Sequence, residues 1–402
     1  MNSSSKSLHR LPGWLLLIGA MTAIGPVSID MYLPGFPAIE REFGEQGIER
    51  TLAGYLIGLA LGQLVYGPVS DRFGRKPPLY AGFVLYVAGS VGCALASSML
   101  VLILMRILQA VGACSSLVIG RAIVRDRCEP EDAARAFSAL MLIISLSPIV
   151  APLFGGWFVT ALGWRSVFIF QCALGLAMIV AMHVMMTESR DPAHVVPLSP
   201  AQALRVYGRL LAHRKLVAYS AITGFGTAAL FAYISGAPTV MTHLFGLTPQ
   251  QLGWMIGING FAFMAGSRIN MVALRYRTSA HMLSRIIWAP LLLGLLLCAL
   301  ALLAHQPLWA VIGLQFSFFL GVVSVGPYVS ALGLAEHGRE AGTAAALMGA
   351  LQSGIGTTGG MAVSVCNDGT LLPLALLMTA GAAGMLLSYG WVRSSPAASP
   401  PA

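Results

Sequence analysis

Residues 14–36 read WLLLIGAMTAIGPVSIDMYLPGF, an apolar run broken by a single formal charge, Asp30. A helix rises ~1.5 Å per residue and hydrocarbon is ~30 Å thick, so a run of this length can cross a bilayer. A carboxylate at that depth costs at least ~2.5 kcal/mol, which confines such groups to bundle interiors and water-filled cavities where they bind a proton, an ion or a cationic ligand. Asp30 lies between Pro26 and Pro34 and is the only carboxylate of fifteen inside an apolar span. It is therefore the first candidate functional residue. The competing reading is an acid near a helix end that snorkels to the headgroups.

The rest of the chain repeats this pattern. Of 402 residues, 57% are hydrophobic and 10% charged, and the mean hydropathy is +0.78, outside the range of soluble domains. About twelve apolar runs follow one another, at 14–36, 51–69, 78–97, 100–120, 136–160, 166–186, 216–240, 251–273, 282–304, 308–332, 344–365 and 371–391. No alternating strand pattern is present, so the expectation is an all-α integral membrane protein. The first run is span-length and has no small-residue cleavage site, and reads as a retained helix rather than a signal peptide. The six cysteines are scattered without C-x-x-C spacing, which implies neither a metal nor a disulfide.

The net charge of +9 raises a nucleic-acid reading that the placement of the charges removes. With an even number of spans, nineteen Lys and Arg residues fall on one set of loops and only Arg41, Arg50 and Arg165 on the other. The positive-inside rule then places both termini in the cytoplasm. The longest polar connection, 187–215, divides the spans six and six. The organisation expected is a cytoplasmic N-terminus at 1–13, a six-helix bundle at 14–186, a cytoplasmic linker at 187–215, a second six-helix bundle at 216–391 and a cytoplasmic tail at 392–402. Two such bundles around a midplane site form a common plan for secondary transporters. No P-loop is present, so the expected energy source is the proton gradient, with no cofactor.

Between the second and third spans the chain reads Gly67-Pro68-Val69-Ser70-Asp71-Arg72-Phe73-Gly74-Arg75-Lys76-Pro77. This resembles the major facilitator superfamily, whose loop motif at this position is G-x-x-x-D-R-x-G-R-[RK]. Locally, Gly67 permits close helix approach, Asp71 can accept hydrogen bonds at a helix N-terminus, and Gly74 permits a tight turn. The resemblance implies a conformational latch of Gly67, Asp71, Arg72, Gly74 and Arg75, with Asp126 pairing with Arg75. Arg106-Ile107-Leu108-Gln109-Ala110-Val111-Gly112 in span 4 resembles the motif R-x-x-Q-G-x-G, with Ala110 for the first glycine. Pro148-Ile149-Val150-Ala151-Pro152-Leu153-Phe154-Gly155-Gly156 in span 5 resembles the antiporter motif G-P-x-x-G-G, with Ala151 for the glycine before Pro152. Prolines kink the helix there, and Gly155 and Gly156 let it pack tightly against a helix of the other half.

The first span narrows the resemblance. Ser28-Ile29-Asp30-Met31-Tyr32-Leu33-Pro34, Val124-Arg125-Asp126, Ala232-Tyr233-Ile234-Ser235 with Pro238, and Ala341-Gly342-Thr343-Ala344 are similar to the bicyclomycin/chloramphenicol resistance (Bcr/CflA) branch of drug:proton antiporters. The resemblance implies efflux of small amphipathic drugs or metabolites in exchange for protons, by a monomer in the bacterial cytoplasmic membrane. Its partners are then a small-molecule substrate, protons and the lipid bilayer, with no nucleic acid. Asp30 and Arg106 become the proton-coupling pair, although their direct contact does not follow from sequence. Tyr32, Gln109, Phe231, Tyr233, Asn259 and Phe261 become the substrate-binding candidates. A relative of broad drug specificity in that branch carries a second acid where this chain has Thr22, so proton and substrate would share Asp30. The alternative is a proton-coupled symporter or facilitator for a nutrient on the same fold. An enzyme would need a nucleophile–base pair or metal cluster at membrane depth, and the spans display none.

Overall fold

A computed structural model describes residues 12–44, 47–128, 130–188, 200–273, 278–303, 305–335, 341–366 and 368–394. All secondary structure among them is helical: α1 (Gly13–Asp30), a 3-10 turn at Leu33–Gly35, α2 (Phe36–Phe43), α3 (Glu49–Phe73), α4 (Lys76–Ala94), α5 (Met99–Arg127), α6 (Pro130–Leu162), α7 (Arg165–Met185), α8 (Pro200–Leu211), α9 (Arg214–Phe245), α10 (Pro249–Ala273), α11 (Ser279–Ile286), α12 (Trp288–Ala301), α13 (Leu308–Leu334), α14 (Ala341–Cys366) and α15 (Leu371–Ser394). Every expected span has its helix. Eight stretches are by themselves long and apolar enough to cross a membrane, the first running from Gly13 to Phe43.

Two spans are broken, each by a proline. Pro34 has no N–H to donate to the Asp30 carbonyl, so α1 ends at Asp30 and the chain makes a 3-10 turn before α2 resumes. Pro290 likewise leaves the Ile286 carbonyl without its helical donor, and α11 gives way to α12 at Ile287. The connection at 187–215 contains α8. Leu210 is buried, and Tyr207 packs on a cluster that includes Leu216, Ile222 and Leu347, which fastens this part of the connection to the second bundle.

The two bundles repeat one packing scheme. In the first, α1 packs on α5 and α6, and α4 on α5 and α7; in the second, α9 packs on α13 and α14, and α12 on α13 and α15. The halves meet along two seams, α6 against α10 and α3 against α14. The 3-10 turn and α2 add contacts to α9 and α10 at one end of the molecule. Along the α3–α14 seam Gln63 Nε2 donates to Ser353 Oγ at 3.3 Å, and a Cβ at Gly67 on α3 or at Gly349 on α14 would meet no atom within 4 Å.

Candidate functional site

Asp30 sits where α1 stops, facing α6. It is 6% exposed, and its Oδ2 accepts a hydrogen bond from Ser147 Oγ at 3.2 Å. Ser147 immediately precedes Pro148, the first proline of the span-5 motif. Pro152 has no N–H for the Pro148 carbonyl, and that freed carbonyl lies against Gly260 of α10, where a Cβ would stand 2.6 Å from the oxygen. Gly257 faces the Ile149 carbonyl and Gly253 the Pro152 carbonyl in the same way. The α6–α10 seam is thus backbone against glycine, with Asp30 attached to its α6 side. Gly156 joins this seam, facing the Pro249 carbonyl, whereas Gly155 faces the Met31 carbonyl of α1. Of the two glycines expected at the other half, one serves the helix that carries Asp30.

Arg106 does not pair with Asp30. It is fully buried in the first bundle, and its Nη1 donates to the Ser28 carbonyl (3.1 Å) and Gln109 Oε1 (2.7 Å). Its guanidinium carbon lies 4.2 Å from the Tyr55 ring centroid, 4.7 Å from that of Tyr32 and 5.8 Å from that of Phe168. The cation is held by aromatic faces in place of a carboxylate, and its Nε and Nη2 have no hydrogen-bond partner among the described residues. Ser28 and Asp30 are two residues apart on α1: the Ser28 carbonyl takes Arg106 of α5, whereas the Asp30 carboxylate takes Ser147 of α6.

Two of the substrate-binding candidates lie in this core. Gln109 has both ends of its amide occupied, because Oε1 accepts from Arg106 while Nε2 donates to Ser90 Oγ and Gln171 Oε1, each at 2.8 Å. Tyr32 is buried between Phe36 and Phe168, with its hydroxyl on Thr51 Oγ1 at 2.8 Å. Both side chains build the Arg106 core.

The other candidates lie in the second bundle. Asn259 Nδ2 donates to Tyr233 Oη at 2.6 Å, joining α10 to α9, and the Tyr233 ring packs on Phe319 of α13 at 4.7 Å. Among the described residues Asn259 Oδ1 has no hydrogen-bond partner, nor have Ser235 Oγ and both polar atoms of Gln315, all in buried residues. Asn259 adjoins Gly260, so this polar pair and Asp30 flank the same seam. Phe231 is partly buried where α9 meets Gly356 of α14, and Phe261 is half exposed.

The motif loop closes one end of the first bundle. Gly74 adopts φ +84°, a conformation that favours glycine. Arg75 is buried; its Nε donates to Asp126 Oδ2 at 2.7 Å and its Nη1 to Ser70 Oγ at 2.9 Å. The N–H groups of Arg75 and Lys76, which open α4, donate to the Glu188 carboxylate at 3.0 and 2.9 Å. Arg72 is exposed beside the Phe73 ring. The Asp71 side chain lies outside the described residues.

Sequence reasoning passed over Ser147, Glu49 and the glycines of α10. Ser147 carries no motif signal. Gly253, Gly257 and Gly260 were visible as a small-residue stripe at helical spacing. Glu49 stood just outside the expected span, yet it is 2% exposed and accepts a hydrogen bond from Thr239 Oγ1 of the other half at 3.3 Å.

Known proteins share this design. A Bacillus subtilis protein named uncharacterized MFS-type transporter YdgK is 30% identical over 387 residues, covering 94% of each chain. A bicyclomycin resistance protein homolog of Haemophilus influenzae is 26% identical over 95% of this chain and 96% of its own. The multidrug transporter MdfA of Edwardsiella ictaluri is 29% identical over 89% and 88%. Among solved structures, an inward-facing, unoccupied bacterial homolog of the human lysosomal transporter Spinster superposes with a TM-score of 0.74 at 15% identity, covering 94% of this chain and 95% of that one. At that identity the likeness concerns the fold. The Major Facilitator Superfamily model matches residues 16–361, and with relatives aligned over nearly its whole length the chain belongs to that superfamily of multi-pass membrane transporters, not to a family of enzymes.

Proposed function

We propose that the protein is a proton-driven exporter of small amphipathic molecules in the cytoplasmic membrane of a bacterium, working as a monomer with both termini in the cytoplasm. The observation that carries this reading is Asp30, a buried carboxylate with no cationic partner among the described residues, hydrogen-bonded to the helix that forms the seam between the halves. Relatives named for bicyclomycin resistance and multidrug transport support export over uptake. A carboxylate without a fixed counter-charge is free to hold either a proton or a cationic or hydrogen-bonding substrate, and opening a cavity to water changes which it prefers. Opening to the outside admits a proton and releases the drug; opening to the cytosol releases the proton and admits the next molecule.

With cytoplasmic termini, the ends of α3 and α14 that carry Gly67 and Gly349 face the cytoplasm. The Arg75–Asp126–Glu188 network then lies at the cytoplasmic rim of the first bundle, where the motif residues Gly67, Asp71 and Arg72 are set to meet the second bundle when that rim closes. Tyr233 and Asn259 supply hydrogen-bonding groups on the opposite side of the seam from Asp30, with Phe231 and Phe261 as apolar lining. The runner-up is a nutrient symporter on the same fold.

The test is transport with a panel of phenicols, bicyclomycin and sulfonamides, as growth inhibition in a pump-deficient host and as uptake into inverted vesicles. Accumulation driven by an inside-acid gradient and abolished by Asp30→Asn is the expected result. Accumulation that requires the reverse gradient establishes symport instead, and a panel on which wild type and Asp30→Asn behave alike removes drug efflux.

A further inference from the structure

Ser147 stands at the one point where the proton site and the moving interface touch. Its hydroxyl is the only hydrogen-bond donor to Asp30 among the described residues, and both side chains are buried. Other ionisable groups on the elements around α1 are engaged elsewhere or distant along their helices. On α5, Arg106 is spent on Ser28 and Gln109; on α3, the Tyr55 hydroxyl donates to the Gly25 carbonyl at 3.2 Å; α7 carries Arg165 and His183 at its two ends. From 136 to 162, α6 has no charged residue. The very next carbonyl after Ser147, that of Pro148, is pressed on Gly260 of the other half.

We propose that Ser147 is the positioning residue through which the α6–α10 seam sets the proton affinity of Asp30, an inference that rests on reading Asp30 as the proton site. The mechanism follows from the local backbone. Pro148 and Pro152 each remove one i→i−4 hydrogen bond, so the turn between them is the softest part of α6. The seam there is close-packed, carbonyl against glycine with the Ile149 and Leu153 side chains beside them, so sliding of α10 is transmitted to the α6 backbone. A 3.2 Å hydrogen bond is lost once the groups part by roughly another 0.5 Å. Donation from Ser147 favours the carboxylate over the acid, so a movement that makes or breaks the contact changes proton binding at Asp30. Only an O–H bond on Asp30 forms or breaks in the step.

The experiment is an infrared pH titration of the carboxylic C=O band in the full-length protein held in lipid nanodiscs. Loss of one titrating band in Asp30→Asn identifies the Asp30 signal; if no band is lost, it is the proton-site reading that fails. With the band assigned, Ser147→Ala is expected to displace its midpoint by about half a pH unit or more, roughly a threefold change in proton affinity. Ser147→Thr, which keeps the hydroxyl, is expected to retain the wild-type midpoint. Gly260→Ala, whose added methyl would press on the Pro148 carbonyl without touching Asp30, is expected to displace it as well. An unmoved midpoint in Ser147→Ala, or equal displacements in the Ala and Thr variants, overturns the role of the hydroxyl. An unmoved midpoint in Gly260→Ala overturns the link to the seam.

Discussion

Arg106 is a cation inside a protein, inside a membrane, with rings for company. Burial of an unpaired charge costs several kcal/mol, offset in part by the faces of Tyr55 and Tyr32 and by the Ser28 carbonyl. A side chain held at such expense is retained for what it does to its neighbours. Arg106→Met, which fills similar volume without charge, is expected to leave the melting temperature unchanged or higher while transport falls at least about tenfold. A melting temperature lowered in step with transport would instead make the arginine a structural residue. Arg106→Lys keeps the charge but loses the planar fork that lies between the rings and reaches two acceptors, so transport is expected to fall as well. Arg75 is the contrasting case. Its Nε meets Asp126 at 2.7 Å near the surface, and Asp126→Asn is expected to reduce stability by about 1–3 kcal/mol, read as a drop in melting temperature, because the buried guanidinium loses its counter-charge.

At the scale of elements, α6 is the helix on which the two halves and Asp30 converge. Its Gly156 meets α10, its Gly155 meets α1, and its two prolines leave carbonyls facing the glycine stripe of α10. Packing of this kind relies on backbones approaching closely, which any side chain prevents. Gly155→Ala would drive a methyl into the Met31 carbonyl beside Asp30 and is expected to cost about 1–3 kcal/mol, seen as a lower melting temperature in detergent. Gly257→Leu would wedge the seam apart and is expected to abolish transport with the first bundle still folded. Retention of transport in Gly257→Leu would show that the α6–α10 contact is not kept through the cycle. The motif read from sequence located the prolines and glycines of α6. It could not show that Gly155 and Gly156 serve different neighbours, because adjacent residues on a helix point about 100° apart and the identity of each neighbour is a matter of assembly.

For the whole molecule, the halves are joined at the end where Glu49 accepts from Thr239, and the motif loop lies at the other end of α3. Alternating access requires that the first contact break while the second end closes. A hydrogen bond to a buried carboxylate is worth about 1.5–3 kcal/mol, so Thr239→Val, which keeps the shape and removes the hydroxyl, is expected to raise the population opened at that end by roughly tenfold or more. Distances between spin labels near the start of α3 and the end of α9 in lipid bilayers report this directly. Unchanged distributions in the variant would mean the contact is incidental to the closed end.

Composition and hydropathy alone determined that the chain is a helical membrane protein, and the residue motifs placed it in its superfamily, because span length, charge asymmetry and loop motifs are local in the sequence. The break of the 14–36 run at Asp30 was not read from sequence, although Pro34 accounts for it, since a missing donor acts four residues away. What Asp30 touches was decided only in three dimensions. Ser147 lies 117 residues away and Thr239 lies 190 residues from Glu49, and such contacts depend on how rigid helices rotate and pack. The same rotation took Arg106, Gln109 and Tyr32 into the core of one bundle, because on a helix one residue's shift of register decides between the bundle interior and the cleft.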